Sequence, residues 1–254
     1  MTTDDDRLAR DLAGEAGRLL LALRAEGGEP AALRKAGDRK SHEFLAARLA
    51  ELRPQDAVLS EEGRDDLGRL SADRVWIVDP LDGTREFGES GRTDWAVHVA
   101  LWERGELTAG AVALPAQGAA VLSTAEPPPT PPAPAPGRPV RVLVSRTRPP
   151  AFLEQLAGQI ELTLIPLGSA GAKAAEVIRG DADAYVHSGG QFEWDSAAPV
   201  AVAVAAGLHA SRLDGSKLAY NQADPSLPDI LICPAGLAAT LLDGLRVAGC
   251  SATQ

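Results

Sequence analysis

The sequence is short of sulfur and of aromatic side chains, with two cysteines, one methionine and 4% aromatic residues among 254. Two thiols, Cys233 and Cys250, cannot build a disulfide framework or a zinc cluster, and they read as free cysteines of a reducing compartment. Positive charge is also in short supply: 25 Lys and Arg face 35 Asp and Glu, a net charge of −10. That balance argues against nucleic-acid binding and leaves carboxylates to spare for a metal site. No run approaches the roughly 18 apolar residues needed to cross a bilayer. The acidic start, Met1-Thr2-Thr3-Asp4-Asp5-Asp6, has no apolar core of a secretory signal. A cytoplasmic protein without an integral membrane segment is expected, as a monomer or homodimer, and there are no internal repeats. At 45% hydrophobic and 24% charged residues, the chain can bury a substantial core as one large domain or two intimate halves.

The periodicity assigns elements in order. Leu8, Leu12, Ala16, Leu19, Leu20 and Leu23 recur at helical spacing over residues 4–24, which Gly27-Gly28 and Pro30 end. A second helix is expected over 38–52 and a strand over 57–60, then a charged loop. Residues 95–102 and 107–114 read as a hairpin turning at Arg104-Gly105. The stretch from Pro127 to Pro136 is polyproline-like and cannot join a sheet, so it reads as an exposed loop or linker over 127–139 between an N-terminal half (1–126) and a C-terminal half (140–254). The second half alternates: strand 140–144, helix 150–159, strand 162–165, helix 170–179, strand 182–187, a strongly apolar helix 195–206, strands 207–213 and 230–233, and a last helix 237–248. Alternation of this kind indicates a layered α/β unit.

Residues 75–87 organise the chain. Val75-Trp76-Ile77-Val78 reads as a buried strand, which Asp79-Pro80 stops because proline has no N–H for a ladder. Asp79 and Asp82 then crowd one turn, with Leu81 C=O between them. Two repelling carboxylates need compensation, and Mg²⁺ or Mn²⁺ suits carboxylate and carbonyl oxygen. The Gly83 and Thr84 N–H groups following them suit an anion. Metal and anion sites side by side suggest phosphate chemistry. An ordinary polar turn would read the same way, Asp195 and Asp38 could be simple helix caps, and Glu62 a solvated neighbour of Glu61.

The string Asp79-Pro80-Leu81-Asp82-Gly83-Thr84 resembles the signature of the magnesium-dependent, lithium-sensitive phosphatases related to inositol monophosphatase. Ser60-Glu61-Glu62 ahead of it, Glu193-Trp194-Asp195-Ser196-Ala197-Ala198 after it, and the early Asp38 resemble that family in order and rough spacing over nearly the whole chain. The resemblance implies an α/β fold of five αβαβα layers. It implies that Glu61, Asp79, Asp82, Asp195 and the Leu81 carbonyl ligate two or three Mg²⁺ ions, with Asp79 bridging. It further implies that Thr84 and Asp38 activate the attacking water and that the Gly83 and Thr84 amides hold the phosphate. The chain departs from the family at Lys35-Ala36-Gly37, where a threonine is usual.

Arg85-Glu86-Phe87 after the signature, and Gly168-Ser169-Ala170-Gly171-Ala172-Lys173, resemble the CysQ-type 3′(2′),5′-bisphosphate nucleotidases of this family. That branch implies hydrolysis of adenosine 3′,5′-bisphosphate (PAP) to AMP and phosphate, in support of sulfate assimilation. Ser169 and Lys173 would then contact the substrate, Lys173 at the 5′-phosphate, although a plain helix start with a solvated lysine reads similarly. His187, Gln191 and Glu193 would line the nucleotide pocket, with Arg92 and Tyr220 as weaker candidates, while Trp76, Trp95 and Trp194 read as packing residues. The alternatives are the same machinery acting on inositol 1-phosphate or fructose 1,6-bisphosphate, or a silent metal or nucleotide sensor.

Overall fold

Val75 and Ile77 face one way from their strand and Trp76 and Val78 the other, and all four are buried. A strand buried on both faces needs a layer on each side. In the computed structural model, which describes residues 3–132, 134, 135 and 137–250, both layers are helical. The first sheet has the order β1 (Ala57–Ser60), β2 (Arg74–Asp82), β3 (Ala96–Glu103), β4 (Glu106–Leu114), β5 (Ala120–Ser123), with β1 parallel to β2 and the remaining pairs antiparallel. Its outer face is covered by α1 (Asp4–Glu26) and α2 (Pro30–Leu52), and a short α3 (Thr84–Gly88) follows β2. The second sheet comprises β6 (Val140–Ser145), β7 (Leu162–Leu167), β8 (Ala184–Phe192), β9 (Leu208–Ser211) and β10 (Ser226–Pro234), in the order β7-β6-β8-β10-β9.

Between the sheets lie α5 (Ala170–Arg179) and α6 (Glu193–Ala205), whose side chains share one core with Val75 and Ile77 from one sheet and Tyr185, Ile230 and Ile232 from the other. The helix α6 is apolar nearly all round because it has a sheet on either side. On the far face α4 (Leu153–Ala157) and α7 (Ala235–Val247) bury Val142, Val186 and Leu231. The layers run αβαβα, as the resemblance implied. No helix among the described residues is long and apolar enough to cross a membrane, and both cysteines are free.

Several boundaries differ from those expected. Pro30 does not end a helix but begins one: it occupies the first turn of α2, where its missing N–H is harmless, and Glu29 caps the two amides that follow. Asp38 is therefore a mid-helix residue and not a cap. Gly37 sits inside that helix for want of space, since a Cβ there would lie 2.8 Å from Leu81 Cδ2 and from Phe87 Cε1. β2 runs through Pro80 to Asp82 by way of a register shift between Asp79 and Asp82. β5 was not foreseen, α4 is shorter than expected, and β8 and β10 are longer. Within the proline-rich stretch Pro131 is buried, most of its described neighbours are exposed, and Ala133 and Pro136 lie outside the described residues.

Gly37 is what lets α2 approach the Leu81 turn. Gly37→Val should lower stability by about 1–3 kcal/mol through overpacking, seen as a Tm drop of roughly 2–10 °C; an unchanged Tm would show that the contact can relax.

Candidate active site

β1 ends at Ser60, opposite Val78, and Glu61 follows it there, while β2 runs on through Asp79 to Asp82. Asp79, Asp82 and Asp195 each offer an oxygen within 4.8 Å of the others'. Asp195 reaches the cluster from the first turn of α6, where it accepts the Phe192 N–H at 2.7 Å. Glu61 keeps much of its surface in solvent yet lies within hydrogen-bond reach of Asp79. The buried Ser41 hydroxyl donates to Pro80 O at 2.7 Å, pinning α2 to the turn. Asp79 Oδ1 accepts the Leu81 N–H at 3.0 Å, which leaves the Leu81 carbonyl facing Thr84 Oγ1 at 3.0 Å. Thr84 Oγ1 is also 3.1 Å from Asp38 Oδ1, so one hydroxyl proton faces two acceptors. Gly83 takes a left-handed φ of 82° to start α3, a conformation that glycine adopts readily.

The four carboxylates divide electrostatically. Burial, Glu61, Asp82 and Asp195 all push Asp79 well above the usual carboxylate range. Lost hydration on its inner side and the Asp195 charge move Glu61 up to about 7, and burial and Asp82 move Asp195 to about 6. Asp82 goes the other way: burial opposes ionisation, but His98, Ser169 and the Gly171 N–H hold it down to about 2. Its oxygens accept from the Ser169 hydroxyl, from Ala170 N at 3.2 Å and from Gly171 N at 2.6 Å, at the start of α5. Burial pushes Asp38 up to about 6, with the Thr84 hydrogen bond pulling back.

This set fits a divalent cation. The groups acting most strongly on Asp79 are other acids, and three carboxylate oxygens converge with a backbone carbonyl nearby, a hard-oxygen donor set. Beside it lies a cleft of about 210 Å³ lined in part by Gly83, Thr84, Arg85, Arg148, His187 and Gln191. Arg85 and Arg148 are exposed at its rim.

Residues 8–242 match the Inositol monophosphatase family. The chain belongs to that family. It is 55% identical over 239 residues to a 3'-phosphoadenosine 5'-phosphate phosphatase of Mycobacterium bovis, covering 91% of this chain and 89% of that protein. The protein of the same name from Mycobacterium leprae is 53% identical over 255 residues, covering 95% and 93%. The crystal structure of CysQ from Bacteroides thetaiotaomicron, a bacterial member of the same family, superposes with a TM-score of 0.79 at 26% identity, covering 91% of this chain and 97% of that one.

Around the acidic cluster, Glu61, Asp79, Leu81, Asp82, Gly83, Thr84, Asp38 and Asp195 come together. Ser169 arrives too, but its hydroxyl is given to Asp82. Lys173 lines the cleft while its Nζ is committed to Gly168 O at 2.6 Å and Ser169 O at 2.9 Å and lies over the Tyr185 ring, and burial lowers it to about 8. It braces the turn before α5. Glu193 lies outside the cleft lining, its carboxylate accepting Asn221 N and Gln222 N at 2.6 and 2.7 Å. Arg92 pairs with Asp94, and the buried Tyr220 hydroxyl lies 3.1 Å from Ser196 Oγ.

His98 escaped the sequence reading. It is fully buried on β3 opposite Asp79, with Nδ1 3.0 Å from Trp194 O and Nε2 3.3 Å from Asp82 Oδ2. Both ring nitrogens face acceptors, so although burial disfavours the charge, Asp82 raises the pKa and favours the imidazolium. A lone histidine in the apolar run Ala96-Val97-His98-Val99-Ala100 was the available signal.

A carboxyl whose folded pKa lies above its unfolded value loses stability as pH rises between the two. Metal-free Asp79→Asn should therefore gain on metal-free wild type as pH rises from 5 to 8, reaching about 1–3 kcal/mol. Thermal melts read this, and a variant less stable than wild type at pH 8 would contradict the electrostatic account.

Proposed function

We propose that this chain is a Mg²⁺-dependent phosphatase that removes the 3′-phosphate of adenosine 3′,5′-bisphosphate, releasing AMP and phosphate. The reading rests above all on one observation: an acidic cluster too crowded to carry its full charge adjoins a cleft rimmed by Arg85 and Arg148. The names of the mycobacterial relatives support the substrate. Glu61, Asp79, Asp82, Asp195 and the Leu81 carbonyl would hold two or three Mg²⁺ ions. When bound, the ions neutralise phosphoryl charge and make water acidic enough to supply a nucleophile.

The chain's own groups do the rest. Thr84 accepts a proton from the attacking water as its own passes to the Asp38 carboxylate, a relay the 3.1 Å contact already sets up. The Gly83 and Thr84 amides hold the phosphoryl oxygens in the plane of displacement. Arg85 and Arg148, in place of the committed Lys173, meet the 5′-phosphate that remains. Residues 1–126 supply most of the metal-holding groups and 140–254 supply Asp195 and the nucleotide side of the cleft. The product fits clearance of PAP formed in sulfate assimilation, in the cytoplasm, by a monomer or homodimer that binds no nucleic acid.

Phosphate release from PAP, inositol 1-phosphate and fructose 1,6-bisphosphate should favour PAP by about tenfold or more in kcat/KM; parity among them would remove the nucleotide assignment. Asp38→Asn and Thr84→Ala should each lower kcat on PAP by about 10²–10⁴-fold with a much smaller change in KM. The wild-type rate should rise with pH through about 6 as Asp38 loses its proton to become the base. A loss confined to KM in these variants would replace the relay with a binding role.

A further inference from the structure

Two hydrogen-bond acceptors in the cleft beside the acidic cluster have no donor among the described residues. His187 is 5% exposed and its Nε2 lies 2.8 Å from Gly189 O. A carbonyl can only accept, so the proton is on Nε2, and Nδ1, buried and without a partner, is a bare acceptor. Burial holds this ring down to about 4, so it stays neutral at pH 7. Gln191 is 6% exposed and donates Nε2 to the Tyr185 hydroxyl at 2.6 Å, leaving Oε1 buried and unpaired. Both residues line the same cleft as Asp82, Thr84 and Asp195.

The backbone is built to aim them there. Pairing of β8 with β10 shifts between Leu227 and Asp229, so that the step from Ser188 to Gln191 on β8 faces a shorter step on β10. The extra length is taken up at Gly189 and Gly190, with φ of 79° and 68°, which few other residues tolerate. A bulge of this kind redirects side chains beside a site, and the His187–Gly189 bond fixes the ring's tautomer as well as its direction. Orphaned buried acceptors are rare and costly, roughly tenfold or more in an equilibrium constant for each.

We infer that His187 Nδ1 and Gln191 Oε1 together read an exocyclic amino group on the substrate's base, selecting a 6-aminopurine nucleotide. The inference deepens the phosphatase reading above and rests on it. An amino group carries two N–H donors, one for each acceptor. A sugar hydroxyl has a single proton, and a 6-oxo group would set acceptor against acceptor. Of the neighbouring cations, Lys173 is held by the Gly168 turn, and on the proposed function Arg85 and Arg148 are taken by the phosphate.

The test compares kcat/KM of the wild-type enzyme on the 3′,5′-bisphosphates of adenosine, of purine riboside, which has hydrogen at position 6, and of inosine. The expected order is adenosine, then purine riboside, then inosine, with inosine at least about tenfold below adenosine and the difference mostly in KM. His187→Phe and Gln191→Leu should each compress the adenosine-to-inosine ratio several-fold. Equal kcat/KM on the adenosine and inosine compounds would overturn the inference alone, and would fit a water molecule bridging the two acceptors. A wild-type preference left intact in both variants would also overturn it, because the preference would then arise elsewhere. No turnover of adenosine 3′,5′-bisphosphate would overturn the phosphatase reading and this inference with it.

Discussion

The carboxylate of Asp82 joins the first sheet of this protein to its central helical layer and sets the electrostatics of the site. It closes β2 of the first sheet, yet its hydrogen bonds come from the start of α5 in the central layer, through Ser169, Ala170 and Gly171. Helix starts present unpaired N–H groups and favour negative charge, so α5 and Asp82 each satisfy a need of the other. The His98 ring, 3.3 Å away, favours the same charge. Asp82 is thus held ionised, and its fixed charge then helps to raise Asp79 and Asp195. One carboxylate is anchored as an anion by the protein, and the others can become anions together only if something cationic joins them.

The central layer places the opposite wall by the same means. Trp194 O, one residue before Asp195, receives the His98 Nδ1 proton, so β3 is tied to the first turn of α6. A second tie enters from Arg69 in the Leu67–Ser71 turn: its guanidinium donates to Asn221 Oδ1 at 2.6 Å, and the Asn221 N–H in turn donates to Glu193. The segment after β1, which carries Glu61, and the helix that carries Asp195 are therefore linked through buried polar contacts. Such contacts leave few alternatives open, because any other arrangement strands a buried charge or amide. Precision at the cluster comes from these polar ties, while the apolar faces of α6 supply the bulk of the burial.

The residues legible in the sequence were those whose signal is local. The Asp79 to Thr84 string, the apolar run Val75 to Val78 and the bounds of α5 all lie within short windows. What failed depends on distant partners. Pro30 looked like the end of a helix but begins one, and Gly37, ahead of the helix expected over 38–52, lies inside α2 and makes room for Leu81 and Phe87, which are 44 and 50 residues away. His98 shows its role only once β3 is paired with β2, opposite Asp79. Lys173 showed its charge but not its burial, so a residue that braces three carbonyl-bearing positions of a turn read as a phosphate ligand. The strand expected to end at His187 continues instead through Gly189 and Gly190 as a bulge of β8.

The negative net charge of the chain then takes on a functional sense. A doubly phosphorylated substrate approaching the cluster meets repulsion from Asp82 and from each further carboxylate that ionises beside it. On the proposed reading, cations reverse that sign at the cluster while leaving the cleft walls unchanged. Cation binding and substrate binding then favour each other by the same free energy, since the two are linked through one electrostatic field. Neutral acceptors such as His187 Nδ1 and Gln191 Oε1 stand outside this exchange. Their preference for donors is present whether or not the cluster is filled, which separates the control of turnover by charge from the choice of base by hydrogen bonding.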